Sequence, residues 1–168
     1  MKKIFVFISA FILILTACGE SYGTGNYELP IFTRAKLKGS DFAFNAKISE
    51  ADFLISFDEG HALYGTELYF SEKGGVAKIG EYTRDVRIDA FPAQKAFVKA
   101  VRAICNQDVR YLKTEYGRKY TIDETVIMVY YGTDKKTITD IETEEHGRRF
   151  YFAVEVIEPY EVQSGSAG

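Results

Sequence analysis

The chain predicts an α+β domain: a mainly antiparallel curved sheet or half-barrel of seven to nine strands, with one amphipathic helix packed on it. Two observations carry this. Apolar residues alternate at period two through most of residues 28–162, in short runs separated by turn residues. One stretch alone, after Pro92, shows helical spacing. Strands joined by tight turns pair as an antiparallel meander, and a helix covers one face of such a sheet.

The strands follow in order. Phe42, Phe44, Ala46 and Ile48 share one face, with Asp41, Asn45 and Lys47 on the other. Phe53, Ile55 and Phe57 form a second stripe, and Leu68 and Phe70 begin a third before a Lys73-Gly74-Gly75 turn. Val76 to Ile79 returns antiparallel, and Val86 and Ile88 alternate with Asp85, Arg87 and Asp89. Beyond the helix come Tyr120 to Asp123 and Val126 to Tyr131. A turn over residues 132–136 leads into Ile138 to Thr143. His146-Gly147 then turns into Arg149 to Ile157, with Phe150, Phe152, Val154 and Val156 on one face. In the helix, Pro92 suits the first turn. Ala93, Phe97, Ala100, Val101 and Ile104 face inward, and Lys95, Lys99 and Arg102 face outward.

The ends of the chain read differently. Met1-Lys2-Lys3 is a short basic start, and Ile4 to Leu15 is an apolar run with a single Ser, closed by Thr16-Ala17. This is the layout of a secretory signal peptide over residues 1–17. The run is shorter than the roughly 20 apolar residues that span a bilayer. Leu15-Thr16-Ala17-Cys18 resembles the bacterial lipobox. That resemblance implies a diacylglyceryl group on the Cys18 thiol and cleavage just before it. The chain would then be exported and anchored by lipid to the extracytoplasmic face of the bacterial cell membrane, with the outer membrane open in a two-membrane bacterium. Each buried lipid methylene contributes about 0.8 kcal/mol, so two or three acyl chains hold firmly. Residues 18–27 read as lipidated Cys and flexible tether, 28–162 as one β-rich domain, and 163–168 as a disordered tail.

Composition narrows the function classes. Removing the leader takes out two lysines and no acid, so the net charge moves from −3 to −5. A mildly acidic domain lacks the clustered Lys and Arg that nucleic acid requires. Cys18 and Cys105 are the two cysteines. With Cys18 lipidated, Cys105 has no disulfide partner and reads as a buried, inert thiol. His61 and His146 have no ligand-like spacing to Cys or acid, so no metal site is expected. No nucleophile elbow, phosphate loop or dinucleotide fingerprint is present, so no catalytic residue and no cofactor is assigned. The acidic run Asp140, Glu142, Glu144, Glu145 fits a solvated strand edge, neutralised by Arg148 and Arg149. The basic helix face reads as a solvated surface, with contact to anionic lipid heads the rarer alternative.

The aromatic load stands out: twelve Tyr, and thirteen Phe of which three lie in the leader. Strand preference accounts for many of them. A curved sheet that encloses more apolar surface than it can fill is the alternative, and would hold an acyl chain. The candidate lining is Phe42, Phe44, Phe53, Ile55, Phe57, Phe150, Phe152 and Val154, with Phe97 and Val101 from the helix closing over them.

The order of parts carries a further resemblance. A lipobox is followed by a strand from Lys36 to Ile48 and another from Phe53 to Phe57. A Leu63-x-Gly65 turn, a strand from Glu67 to Phe70, the Gly74-Gly75 turn, a helix after Phe91-Pro92 and closing hairpins complete the order. From Leu29 to Val156 this is similar to the lipoprotein-localisation chaperone superfamily, whose half-open barrels hold acyl chains beneath a helical lid. Members usually carry more lid helix, and no functional residue transfers by position. The resemblance implies a membrane-anchored lipoprotein binding a lipid or another hydrophobic ligand. The alternative is a ligand-free module supporting an envelope protein complex, and no enzymatic activity is expected because no acid, base and nucleophile group is visible. Cys18→Ala should abolish incorporation of radioactive palmitate and leave the precursor uncleaved, and palmitate retained on that variant would refute the anchor.

Overall fold

A computed structural model of the chain describes residues 27–161. The signal, Cys18, nearly all of the tether and the tail lie outside the described residues. Within them the chain forms two meanders with a helix between. The first is β1 (Ile31–Leu37), β2 (Ala43–Ile48), β3 (Phe53–Phe57), β4 (Thr66–Ser71), β5 (Gly74–Ile79) and β6 (Tyr82–Val86). A 3-10 turn (Ile88–Ala90) leads into α1 (Pro92–Cys105). The second meander is β7 (Tyr111–Lys113), β8 (Gly117–Ile122), β9 (Thr125–Tyr131), β10 (Ile138–Glu145) and β11 (Arg148–Pro159).

All eleven strands belong to one antiparallel sheet in the order β6-β5-β4-β3-β2-β1-β11-β10-β9-β8-β7. The α+β class stands, and the expected seven to nine strands become eleven. β1 escapes sequence reading because its inward positions include Thr33 and Ala35, fully buried yet hardly apolar. β7 is three exposed residues with no period to read. The single strand expected from Lys36 to Ile48 is two, separated by a turn in which Ser40 N donates to the Leu37 carbonyl. The strand expected at Val86 and Ile88 ends at Val86, and Ile88 opens the 3-10 turn.

Turn chemistry explains the hairpins. His146 and Gly147 both have positive φ, 50° and 76°, the geometry of a two-residue turn matched to strand twist. Gly117 is required by close approach: a Cβ there would run into the Val129 carbonyl of the neighbouring strand. The closure of the sheet is non-local. β1 pairs with β11 from Ile31 opposite Pro159 to Leu37 opposite Phe152, with a register shift between Arg34 and Ala35. The Thr33 hydroxyl donates to the Val156 carbonyl at 2.8 Å near that shift.

The helix lies against the inward face of the sheet and is buried on most of its surface. Ala93, Ala96, Phe97, Val98, Ala100, Val101, Ala103 and Cys105 are all buried. Four of these are alanine, and small side chains let the backbone approach the strands closely. Phe97, fully buried, sits 5.2 Å from the Phe44 ring and 4.9 Å from the Phe152 ring, with Phe44 and Phe152 6.3 Å apart. Each aromatic pair adds to area burial, by about 0.5–1.5 kcal/mol. The space directly under the helix is filled by this triangle.

Every core residue and strand pairing of the described residues is retained in a chain starting at Gly19. That chain should unfold cooperatively in urea, and Phe97→Ala should cost about 3–5 kcal/mol, the range for emptying a filled aromatic site. A loss well below that range would mean that the triangle is not the packed centre.

Candidate functional site

The open space is on the outward side of the helix. Lys95, Val98, Lys99, Arg102, Ala103 and Asn106 recur at helical spacing and share one side of α1. Together with residues from both meanders they line a groove of about 600 Å³. Phe53 of β3 and Ile88 of the 3-10 turn come from the first meander. Val109, Ile122 of β8 and Glu145 of β10 come from the second. The volume lies within the range of small-molecule sites, roughly 300–1,000 Å³. Phe53, Ile88, Val109 and Ile122 are half-buried and pack on the core from its margin. They leave apolar surface uncovered along the groove.

Two further clefts adjoin it. One of about 280 Å³ is lined by Phe53, Phe70, Gly75, Val86 and Ile88 among others, and shares Phe53 and Ile88 with the groove. The other, of about 540 Å³, lies at the end of the helix and shares Arg102 and Asn106 with the groove. Its lining includes Glu28, Leu29 and Glu50, close to where the chain enters the fold.

The rim is charged and held by ion pairs. Lys95 Nζ is 2.9 Å from Asp89 Oδ1. Lys99 Nζ is 3.1 Å from Glu145 Oε1 and also donates to Thr125 Oγ1 at 2.5 Å. The Thr125 hydroxyl in turn donates to Glu145 at 2.8 Å. These bonds, that from Thr125 first and that from Lys99 second, hold the Glu145 carboxyl below its ordinary range. Thr125 is fully buried, so its hydroxyl meets no substrate and serves as a lock. Arg102 Nε and Nη2 donate to the carbonyls of Ser49 and Asp52 at 3.1 and 3.2 Å. Its guanidinium lies 5.5 Å from the Phe53 ring centroid. Burial pushes the Arg102 guanidinium down from its ordinary value.

Of the lining residues expected from sequence, Phe44, Ile55, Phe57, Phe97, Val101 and Phe152 lie in the packed core. Phe150 and Val154 are half-buried at its margin. Phe42 does not share the β2 face: it precedes the strand, is 38% exposed and sits edge-on to His61. Phe53 alone of the set lines the groove. Ile88, Val98, Arg102, Val109 and Ile122 join it there without being expected from sequence. One local signal exists for them: Val98 stands among Lys95, Lys99 and Arg102 on the side of the helix that reads as solvated. Burial pushes the Cys105 thiol up to about 12, as an inert thiol requires. Among the described residues, no three His, Cys, Asp or Glu side chains gather as a metal site, and no helix is long and apolar enough to cross a membrane.

No protein-family model matches the chain, and no curated protein does. Among solved structures it is similar to a LolA superfamily protein from Nitrosomonas europaea, with a TM-score of 0.39 and 8% identity over 79% of this chain and 84% of that one. A likeness that distant assigns no function to this chain.

A depressed carboxyl stabilises the fold above its ordinary pKa, and the benefit is lost as pH falls towards the lower folded value. Glu145→Gln should therefore lower stability by about 1 kcal/mol at neutral pH, since the pair is partly solvated. Below the ordinary glutamate range the difference between variant and parent should shrink, as followed by urea melts across pH. A difference constant down to strongly acid pH would contradict the assignment.

Proposed function

We propose that this chain is a membrane-anchored extracytoplasmic lipoprotein that binds the apolar chain of a lipid-like ligand along the outward side of α1. One observation carries the binding reading: half-buried apolar residues from both meanders border a groove that none of the described elements covers. A solvated groove of this kind gains by taking an acyl chain, at roughly 25 cal/mol per Å² of apolar surface removed from water. The charged rim suits a ligand with a polar end at the surface. The anchoring half of the proposal rests on the leader and Cys18, read from sequence.

The filled Phe44–Phe97–Phe152 triangle favours a second reading, the ligand-free module that supports an envelope protein complex. Exposed Tyr64, Ile79 and Tyr82 offer surface for such a contact, with Ile79 and Tyr82 directly opposite across β5 and β6.

The two readings separate on Ile122, a half-buried wall of the groove outside the packed triangle. In the chain from Gly19, the neutral fluorescent probe N-phenyl-1-naphthylamine should bind saturably. Ile122→Asp should weaken that binding by about tenfold, the equivalent of about 1.4 kcal/mol, with unfolding still cooperative. No uptake by the parent chain, or equal uptake by the variant, would favour the interaction module.

A further inference from the structure

The cations of the rim are unequally compensated. Lys95 and Lys99 each face a carboxylate, Asp89 and Glu145. Arg102 has no carboxylate within ion-pairing distance among the described residues. Its Nε and Nη2 are taken by two backbone carbonyls, which satisfy donors and fix the plane of the guanidinium but bring no net negative charge. The Asp52 carboxylate acts on it only at longer range, accepting from Ser49 Oγ at 2.5 Å and from the Tyr69 hydroxyl at 2.9 Å. Arg102 is thus an oriented, half-buried cation at the junction of the groove and the helix-end cleft.

We infer that Arg102 anchors the carboxylate head of a single-chain amphiphile whose apolar tail lies in the groove. The inference rests on the groove reading and adds the head group to it. Charge complementarity selects a compact monoanion. One positive charge lacks a counter-ion, while Glu28 and Glu50 line the far side of Arg102 and Glu145 lies along the groove. A doubly charged head would meet these acids with its second charge uncompensated. Phe53, over which the guanidinium lies, then receives the first methylenes of the tail. Phe53 and Ile88 also border the smaller cleft, which gives a longer tail a continuation.

The test compares decanoic acid, decanol and decyl phosphate as displacers of the neutral naphthylamine probe from the chain starting at Gly19, at mildly alkaline pH. The acid should bind roughly tenfold tighter than the alcohol, the scale of a hydrogen bond to a charged group, and tighter than the phosphate. Arg102→Gln should erase the acid's advantage, weakening decanoic acid by far more than decanol. Arg102→Lys, which keeps the charge without the two-carbonyl hold, should retain most of the advantage. Equal affinity of acid and alcohol for the unmutated chain overturns the inference and leaves the groove intact. Equal weakening of both ligands by Arg102→Gln, with Arg102→Lys no better, also overturns it and makes Arg102 a clamp on the β2–β3 turn. Phosphate binding tighter than carboxylate overturns the monoanion assignment. Displacement by none of the three overturns both this inference and the groove. The acid–alcohol comparison on the unmutated chain stands even where Arg102→Gln fails to fold.

Discussion

The pairing of the first strand with the last is the contact on which the rest of the architecture depends. β1 lies in the middle of the sheet, with the first meander on one side and the second on the other. Each meander alone is a run of hairpins with an exposed edge. Joined at β1 and β11, they make one open eleven-stranded antiparallel sheet, with the helix on one face. The register shift between Arg34 and Ala35 falls within this seam, where a bulge increases local twist. On the other face Arg34 ties the seam to a third strand end, bonding Glu155 of β11 and Asp58 after β3. The free edges are left to β6, with Arg84 and Asp85 near its end, and to the three-residue β7. Short and charged edges of this kind resist further pairing.

The seam dictates the concavity, and the composition of the helix dictates how much of it is filled. A helix with large side chains at every inward position would ride high on the sheet. Here alanine at positions 93, 96, 100 and 103 lowers the backbone into the curve, and Phe97 and Val101 supply the bulk where the sheet recedes. The helix is therefore packed on three sides. The stripe through Lys95, Lys99 and Arg102 keeps solvent, bordered by Phe53 and Ile88 on one side and Val109, Ile122 and Glu145 on the other. The same seating that fills the interior creates the groove outside it. Core and groove meet at Val98 and Ala103, while Val109 and Ile122 stand at the margin, so a change at those two need not empty the core.

What was legible in the sequence was local. The hairpins from β2 to β5 and from β8 to β11 announce themselves by alternation and by turn residues such as Gly74 and His146-Gly147. The helix announces itself by Pro92 and the spacing of its apolar residues. The β1–β11 pairing spans almost the whole domain and has no local signature, and β1 hides behind Thr33 and Ala35. The groove was illegible for a related reason. Its walls come from β3, the 3-10 turn, the segment after the helix, β8 and β10, and meet only because the seam joins the two meanders. Phe53 is conspicuous in the sequence as an aromatic in a strand. Arg102 looks there like one of three equivalent surface cations, and its distinction depends on a turn fifty residues earlier in the chain.

A groove at the margin of a filled core has different energetics from a cavity inside a barrel. An empty internal cavity costs stability in proportion to its volume, so a protein that alternates between empty and loaded carries that cost whenever it is empty. Here the triangle of Phe44, Phe97 and Phe152 fills the space beneath the helix. The apolar walls at Phe53, Ile88, Val109 and Ile122 are already backed by the core on one side. A ligand chain there would complete their burial without parting the helix from the sheet. The ion pair of Lys99 with Glu145 ties the helix to β10, and that of Lys95 with Asp89 ties it to its own lead-in turn. On the proposed reading, loading and release would proceed at the surface, without local unfolding. Affinity would then be set by the uncovered apolar area and by the charge of Arg102, which no carboxylate pairs among the described residues.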